Sequence, residues 1–333
     1  MVKSNNSQII WSKLAKPKTT KAYETYWKFA CERQDIFFKR LFNESKPWTS
    51  DPILIEYKFT NAYRASDRVS QYLIKNVIYN GNESPNEVFF RIILFKLFNK
   101  IETWELFKQN LGDIGYYNYS FKTYNKILTE AMRNKRRIYS AAYIMASGKS
   151  VFNYDAKHSN HLKLIELMIK NELPEKITEL KSLQALFELL KSYPTIGDFL
   201  AYQLAIDINY SNLTTFSEME FIVPGPGAID GITKCFSDFM GYSLSDLIKY
   251  TTDVQQEEFS IRNLSFKTLF GRHLQLIDCQ NLFCEVDKYS RIAHPEIKGV
   301  SGRTRIKQKY KVHSDSIEVW YPPKWGLNTK KEK

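Results

Sequence analysis

Residues 193–210 read Tyr-Pro-Thr-Ile-Gly-Asp-Phe-Leu-Ala-Tyr-Gln-Leu-Ala-Ile-Asp-Ile-Asn-Tyr, and this stretch is the best guide to the fold. Leucines at helical spacing precede it, and apolar residues at the same spacing follow it. Pro194 and Gly197 bracket a turn that is too short for anything but a tight connection between the two helices. The pattern therefore predicts a helix-hairpin-helix.

Such a hairpin suggests contact with nucleic acid. The N–H groups at the start of its second helix point outward, where they can hold a backbone phosphate. Thr195, Ile196, Gly197 and Asp198 are the candidate DNA-binding residues. The alternative is a helical corner with no ligand, and Thr195 stands where these hairpins more often carry glycine.

Composition favours an all-α protein that meets a polyanion. The chain has 333 residues, only 13 glycines and many Leu, Ile, Lys and Glu residues, as mainly helical proteins do. Its formal net charge of +12 suits phosphate binding, because Lys and Arg release counterions from DNA. A basic balance also occurs in soluble proteins that bind no DNA, which leaves a polyanion partner as one of two interpretations.

Several functional classes are disfavoured. No apolar run reaches the roughly 18 residues of a membrane span, and the polar N-terminus lacks the apolar core of a signal peptide. The four cysteines show no metal-binding spacing, which is typical of free thiols in a reducing cytoplasm. His158 and His161 have no supporting ligand pattern, so we expect no metal site and no cofactor.

The chain divides into three parts on sequence. Residues 1–50 form a basic leader and one amphipathic helix, residues 51–325 form one helical domain of two lobes, and residues 326–333 form a basic tail. A lobe boundary is expected near 150–160, and 295–325 reads as a small irregular or β piece. Helices are predicted at about 53–79, 87–98, 102–111, 120–134, 138–147, 159–171 and 177–191.

A polar stripe lies in the first of these predicted helices. Asn61, Arg64, Arg68 and Gln71 fall at i, i+3, i+7 and i+10, which places them on one helical face. Their donors suit a phosphate or a base edge. The alternative is a solvated face in which Asp67 pairs with a neighbouring Arg.

A second stripe repeats the same spacing. Asp278, Asn281, Glu285 and Lys288 place two carboxylates and an ammonium on one face, where they can shift one another's pKa values, as acid–base catalysis requires. A salt bridge between Glu285 and Lys288 on a wet surface is the alternative.

A third candidate is the rigid bend Pro224-Gly225-Pro226-Gly227. A helix begins near Ala228, so Gly225 and Gly227 are candidates for holding an anion at its N-terminus. No Gly-Lys-Ser/Thr follows the bend, so it is not a P-loop.

Taken together, five motifs resemble the α-glutamyl/putrescinyl thymine pyrophosphorylase family over residues 50–310. They are Phe59-Thr60-Asn61-Ala62-Tyr63-Arg64 with Asp67-Arg68, Phe90-Arg91-Ile92 with Leu94-Phe95-Lys96, Asp207-Ile208-Asn209-Tyr210, Pro224-Gly225-Pro226-Gly227-Ala228, and Leu282-Phe283-Cys284-Glu285 with Asp287-Lys288-Tyr289. The resemblance implies a fold similar to helix-hairpin-helix DNA glycosylases and a partner in double-stranded phage DNA that carries modified bases. It also implies a cytoplasmic protein, which we expect to be a monomer.

The resemblance implies two alternative chemistries. One is a monofunctional glycosylase that flips and excises a hypermodified pyrimidine, such as α-glucosyl-hydroxymethylcytosine, as antiviral defence. The other is a transferase that displaces pyrophosphate from an activated 5-hydroxymethyl pyrimidine. The glycosylase is the preferred expectation, because the chain carries no kinase domain of the kind expected beside a pyrophosphorylase.

The resemblance also implies residue roles. Asp278 or Glu285 would stabilise charge on the sugar, and Lys288 and Asn281 would orient the base or sugar. Glu220 is the positional alternative, because it lies where such glycosylases carry their catalytic Asp. The residues expected to contact the modified base or its phosphates are Asn61, Arg64, Arg68, Gln71 and Tyr289.

Overall fold

The structure, a computed structural model, describes residues 14–141, 145–311 and 317–329. It is mainly helical, which confirms the all-α class. Numbered in chain order, the helices are α1 (Lys21–Leu41), α2 (Pro52–Glu56), α3 (Arg68–Tyr72), α4 (Pro85–Phe98), α5 (Ile101–Leu111), α6 (Phe121–Arg133), α7 (Lys149–Phe152), α8 (Lys157–Lys170), α9 (Leu173–Glu179), α10 (Leu183–Lys191), α11 (Asp198–Asn209), α12 (Pro226–Cys235), α13 (Leu244–Asp253), α14 (Gln255–Ile261) and α15 (Leu276–Ala293). Among these residues the one sheet pairs β1 (Lys18–Thr19) antiparallel with β2 (Phe236–Asp238).

The first of two compact units comprises the described residues of Met1–Asp67 and Phe221–Val319. Its core is built where α1, α12 and α15 pack together. Helix α1 begins at Thr20, whose hydroxyl accepts the Ala22 N–H at 3.1 Å. Helices α12 and α15 approach very closely at Gly231, because a Cβ built there would lie 2.0 Å from the Phe283 carbonyl oxygen.

The second unit comprises the described residues of Arg68–Glu220 and Trp320–Lys333. Helix α4 is buried nearly all round, as its apolar sequence predicted. Within it, Lys96 is 5% exposed and pairs at 3.1 Å with the fully buried Asp207. Since an unpaired charge in such a place is very costly, this ion pair fixes α4 against α11.

The single helix predicted over 53–79 is wrong. The chain instead forms α2, an extended loop, a 3₁₀ turn at Arg64–Ser66, α3 and a π-helical segment at Leu73–Ile78. The reason is that side chains form hydrogen bonds with backbone groups in this segment, which a regular α-helix would pair internally. The buried Arg91 guanidinium, for example, donates to the carbonyl oxygens of Val77 and Ile78 at 2.8 and 3.1 Å.

Other predicted elements also differ. The helix expected over 138–147 is absent from its described part, 138–141 and 145–147, and the helix expected over 177–191 is two helices, α9 and α10. The predicted piece at 295–325 is irregular where it is described, with one bridge between Tyr57 and Lys309. Residues 1–13 of the predicted leader and 330–333 of the predicted tail lie outside the described residues.

The described residues contain no helix that is both long and apolar enough to cross a membrane. They also contain no group of three or more His, Cys, Asp or Glu side chains arranged to hold a metal ion.

Candidate functional site

The polar stripe of α15 holds the loop at residues 57–67. Asp278 accepts the N–H of Arg64 at 2.8 Å and that of Gln275 at 3.0 Å. The Asn281 amide donates to the Thr60 hydroxyl at 3.0 Å and to the Asn61 carbonyl at 3.1 Å. The stripe therefore forms one face, as its spacing predicted, and that face orders the loop by binding its backbone.

Glu285 continues this arrangement one turn further along α15. Its Oε2 accepts the Thr60 N–H at 2.9 Å and the Lys288 ammonium at 2.7 Å. The same ammonium lies 4.5 Å from the centre of the Phe59 ring. Lys288 is thus held by both a carboxylate and an aromatic face, and Glu285 is nearly buried between the loop and the helix.

Arg33 of α1 closes the other side of the loop. Its guanidinium donates to the Thr60 carbonyl at 3.0 Å and to the Asn61 side-chain oxygen at 2.8 Å. Burial lowers the pKa of Arg33, and the nearby Asp67 and Glu285 carboxylates act in the opposite direction. Arg33, Asn61, Asp67 and Glu285 form what we call the acceptor cluster.

Asp67 is the member of the acceptor cluster best suited to move a proton. Its Oδ1 accepts the Asn61 N–H at 2.8 Å. The pKa of Asp67 is raised to about 7, mainly because burial disfavours the charged form and in lesser part because the Glu285 charge lies nearby; the Asn61 N–H and the Arg33 and Arg64 charges act against the rise. A carboxyl that titrates near neutral pH is typical of general bases.

Asp67 was not among the residues predicted as functional. The sequence placed it in a predicted helix, where a surface pair with a neighbouring arginine was the alternative to a functional stripe. Asp67 is partly buried because of the conformation of the 57–67 loop, and no sequence pattern indicated this burial.

A cavity of about 260 Å³ is lined in part by α1 and α15. On each of these helices one lining residue is a single turn from a member of the acceptor cluster, Phe29 from Arg33 and Tyr289 from Glu285. The Tyr289 hydroxyl donates to Asp51 at 2.6 Å. The residues lining the cavity are Thr25, Lys28, Phe29, Glu32, Ser50, Asp51 and Tyr289.

The remaining residues predicted from the first stripe lie in the second unit. Arg68 and Gln71 are on α3, where Arg68 is exposed and the Gln71 side chain accepts the Trp320 N–H at 2.6 Å. Glu220 is also in this unit and is exposed. The structure thus groups Asn61 and Arg64 with the α15 stripe in the first unit and places Arg68 and Gln71 in the second.

The predicted hairpin is formed by the end of α10, the turn and the start of α11. Thr195 takes the place of the usual glycine and has a φ of 70°, a conformation that is strained for a β-branched residue. Gly197 and Asp198 are exposed, and the Asp198 carboxylate pairs with Lys191 at 2.7 Å. Ile196 is buried beneath them. Phosphate binding at this hairpin stays a prediction.

The Pro-Gly bend is engaged in packing. The Gly225 N–H donates to the Gln280 side chain at 3.3 Å, and a Cβ at Gly227 would lie 3.1 Å from the Cys284 sulfur. These contacts explain why small residues precede α12. Anion binding at the bend also stays a prediction.

Replacing Asp278 by Asn is expected to reduce the free energy of unfolding by about 1–2 kcal/mol, because the carboxylate accepts two backbone N–H groups and an amide can accept with only one of its atoms. Urea denaturation measures the change. Asp246→Asn is the control, since Asp246 caps an exposed helix start in the same unit. An Asp278→Asn loss no greater than the control loss would contradict the role of this side chain in holding the loop.

Comparison with protein families shows which family the chain belongs to. Residues 20–299 match the family described as "5-hmdU DNA kinase, helical domain", and the chain belongs to this family. A curated relative is the 5-hmdU DNA kinase of Bacillus phage SP10, which is 27% identical over 325 residues and is matched by 90% of this chain. The chain spans about half the length of that relative, 50%. No solved structure matches it.

These findings correct the sequence-based identification. The family is that of a DNA kinase, so the assignment to the pyrophosphorylase family was wrong, and so were the glycosylase and pyrophosphorylase activities inferred from it. The geometry explains part of the error. Asp278 and Glu285 looked like catalytic carboxylates by spacing, yet their oxygens bind the backbone of the 57–67 loop.

One segment of the chain matches part of the P-loop motif. Gly148-Lys149-Ser150 match the last three positions of G-x-x-x-x-G-K-[ST], but Tyr143 occupies the position of the first glycine. Lys149 begins the four-residue α7, and its ammonium pairs with Asp155 at 2.7 Å. Among residues 136–141 and 145–147, which the structure describes, there is no strand leading into this turn.

Proposed function

We propose that this chain binds DNA and presents the 5-hydroxymethyl group of a modified deoxyuridine as the acceptor in a phosphoryl transfer. The family and the phage relative, whose printed name is 5-hmdU DNA kinase, support this acceptor. The net charge of +12 supports a DNA substrate. The observation that carries the proposal is the acceptor cluster, in which the partly exposed Asp67 carboxyl has a pKa near 7 and is held by the Asn61 N–H.

The chemistry assigns one role to Asp67. The hydroxymethyl oxygen forms a bond to the terminal phosphorus of a nucleoside triphosphate, and the bond from that phosphorus to the diphosphate leaving group breaks. The hydroxyl proton passes to the Asp67 carboxylate. Asn61 fixes that carboxylate through its backbone N–H, and Arg33 in turn fixes the Asn61 side chain.

The cavity suits the pyrimidine ring. Phe29 and Tyr289 meet edge to face, with ring centroids 5.5 Å apart, and both line the cavity, which gives an aromatic surface for a base that has left the stack. Glu32 and Asp51 bring carboxylates to the same walls, which disfavours a phosphate and favours a neutral ring with N–H and O–H donors. One helical turn, about 5 Å, separates Phe29 from Arg33 on α1 and Tyr289 from Glu285 on α15.

The expected test result is a preference for the modified base. Two DNA duplexes that differ only in one 5-hmdU or thymine are titrated with the protein, and affinity should be about tenfold higher for 5-hmdU, which is the worth of one added hydrogen bond. With ATP and Mg²⁺, mass spectrometry should show one added phosphoryl group on the 5-hmdU strand alone. Equal affinity for both duplexes and no mass gain would refute the proposal.

The same proposal locates the protein with DNA in the cytoplasm. We further propose that residues 51–325 act as one helical domain and that the chain works as a monomer. Size-exclusion chromatography with light scattering tests the second point.

A further inference from the structure

Helix α6 and the turn after it carry an unusual concentration of positive charge. Between Phe121 and Arg137 there are six basic residues and a single acidic one, Glu130. Lys122, Lys126 and Arg133, which we call the basic stripe, are all exposed. Lys135, Arg136 and Arg137, the basic turn, follow at once and are exposed as well.

The basic stripe runs along one face of the helix. Its members are separated by four and seven residues, so they project from the same side, and the opposite side is buried through Tyr124, Ile127, Leu128 and Ala131. At 1.5 Å per residue the stripe extends over about 17 Å. One strand of DNA presents a phosphate about every 3.4 Å along the axis, so the stripe can follow several phosphates.

The surface beside the stripe is concave. A groove of about 540 Å³ runs along α6, and its lining residues are Phe121, Lys122, Asn125, Lys126, Thr129, Glu130 and Arg133. Cations, an amide and a hydroxyl are the groups that contact phosphate and sugar oxygens in protein–DNA complexes. A concave surface that carries these groups can follow a strand of nucleic acid more closely than a flat surface can.

The basic turn is held in a fixed position. Lys135 has a φ of 59°, and the N–H of Arg136 donates to the Ala131 carbonyl at 2.9 Å. This is the pattern of a Schellman helix end, which reverses the chain directly after α6. The three cations of the turn therefore extend the stripe from a rigid position.

An ordinary solvated helix explains the charges less well. Such a face mixes both signs, whereas among the described residues the stripe makes a single ion pair, between Lys126 and Glu130 at 3.9 Å. The helix dipole explains a cation at Arg133 in the last turn but disfavours one at Lys122 in the first turn. The arrangement is thus not the one that helix stability alone would select.

We propose that the basic stripe and the basic turn bind the phosphate backbone of duplex DNA. This inference rests on the proposed function, because it assumes that DNA is the substrate. The inference adds which surface of the protein contacts the DNA backbone. The contact is independent of sequence and of base modification, since phosphates are the same beside every base.

The test compares two triple variants of the second unit. In the stripe variant, Lys122, Lys126 and Arg133 are each changed to Gln. In the control variant, the exposed Lys170, Lys176 and Lys181 are each changed to Gln, which removes the same charge. Affinity for duplex DNA is measured by fluorescence anisotropy over a range of KCl concentrations, and thermal melts verify that both variants fold.

The stripe variant should reduce the slope of log affinity against log salt by about 2 to 3, because each lost phosphate contact removes about 0.9. The control should change it by less than about 1. The ratio of affinities for 5-hmdU and thymine duplexes should stay unchanged in both. A stripe slope equal to the control slope, or a collapse of that ratio in the stripe variant, would overturn the inference. Failure of the wild-type protein to bind DNA would instead refute the proposed function.

Discussion

Replacing Asp67 by Asn is expected to lower kcat for phosphorylation of 5-hmdU DNA by about 10² to 10⁴-fold, the usual contribution of a general base. An Asn side chain keeps an oxygen that can accept the Asn61 N–H, so the loop should keep its shape. It cannot take the hydroxyl proton. DNA affinity should change by less than about threefold, since the carboxyl makes no phosphate contact in this mechanism. Steady-state kinetics and anisotropy measure the two quantities separately.

The pH profile gives a second readout of the same residue. Because the pKa of Asp67 is raised to about 7, kcat/KM of the wild-type protein should rise with pH through that value as the base loses its proton. Asp35→Asn is the matched control, because Asp35 forms a surface pair with Lys267 at 2.9 Å in the same unit. Near-normal kcat in Asp67→Asn, or an equal loss in Asp35→Asn, would exclude Asp67 as the base.

The raised pKa also affects stability, and its sign is opposite to that of most carboxyl groups. The folded protein holds the Asp67 proton up to about pH 7, whereas the unfolded chain releases it near the ordinary value of 3.8. The unfolded state therefore binds fewer protons in this window, and the contribution of Asp67 to stability is lost as pH rises through 7. Melting of Asp67→Asn across pH 4 to 8 should lack this loss.

The largest expected effect on stability comes from Gly231→Ala. The added methyl carbon would lie 2.0 Å from the carbonyl oxygen of Phe283 and 2.6 Å from its carbonyl carbon, both of them backbone atoms of α15. Backbone cannot rotate aside, so α12 and α15 must separate. We expect the free energy of unfolding to fall by at least about 3 kcal/mol, measured by urea denaturation.

Gly227→Ala is the matched control for this change, because both glycines lie on α12. A methyl carbon at Gly227 would meet the Cys284 side chain at 3.1 Å, and a side chain can adjust. The gain in helix propensity from Gly to Ala is the same in both variants, up to about 1 kcal/mol. The Gly227→Ala variant should therefore lose far less free energy of unfolding than Gly231→Ala. Similar losses in the two variants would mean that the close approach at Gly231 does not govern the packing of α15.

The Gly231 contact also bears on the site. Asp278, Asn281 and Glu285 position the 57–67 loop from α15, so a shift of that helix moves the acceptor cluster with it. We therefore expect any folded Gly231→Ala protein to lose the preference for 5-hmdU before it loses salt-dependent DNA binding. The second property depends on net charge more than on the position of one helix.

Short-range patterns in the sequence predicted several features of the fold. The helical class, the buried α4, the hairpin between α10 and α11 and the shared face of Asp278, Asn281 and Glu285 were all visible as periodicity or turn chemistry. The family was not. Polar faces and a helical hairpin indicate a modified-base or DNA partner but do not distinguish a kinase from a glycosylase, because both must recognise the same kind of nucleotide.

The sequence by itself determined the features that depend on neighbours within a few residues, since helix periodicity and turn residues act over that range. Tertiary structure decided the rest. The 57–67 loop leaves the helix that its spacing predicted because Glu285, 225 positions away from Thr60, takes up its backbone N–H. The raised pKa of Asp67 and the close approach at Gly231 likewise depend on burial, and burial arises only when distant segments meet.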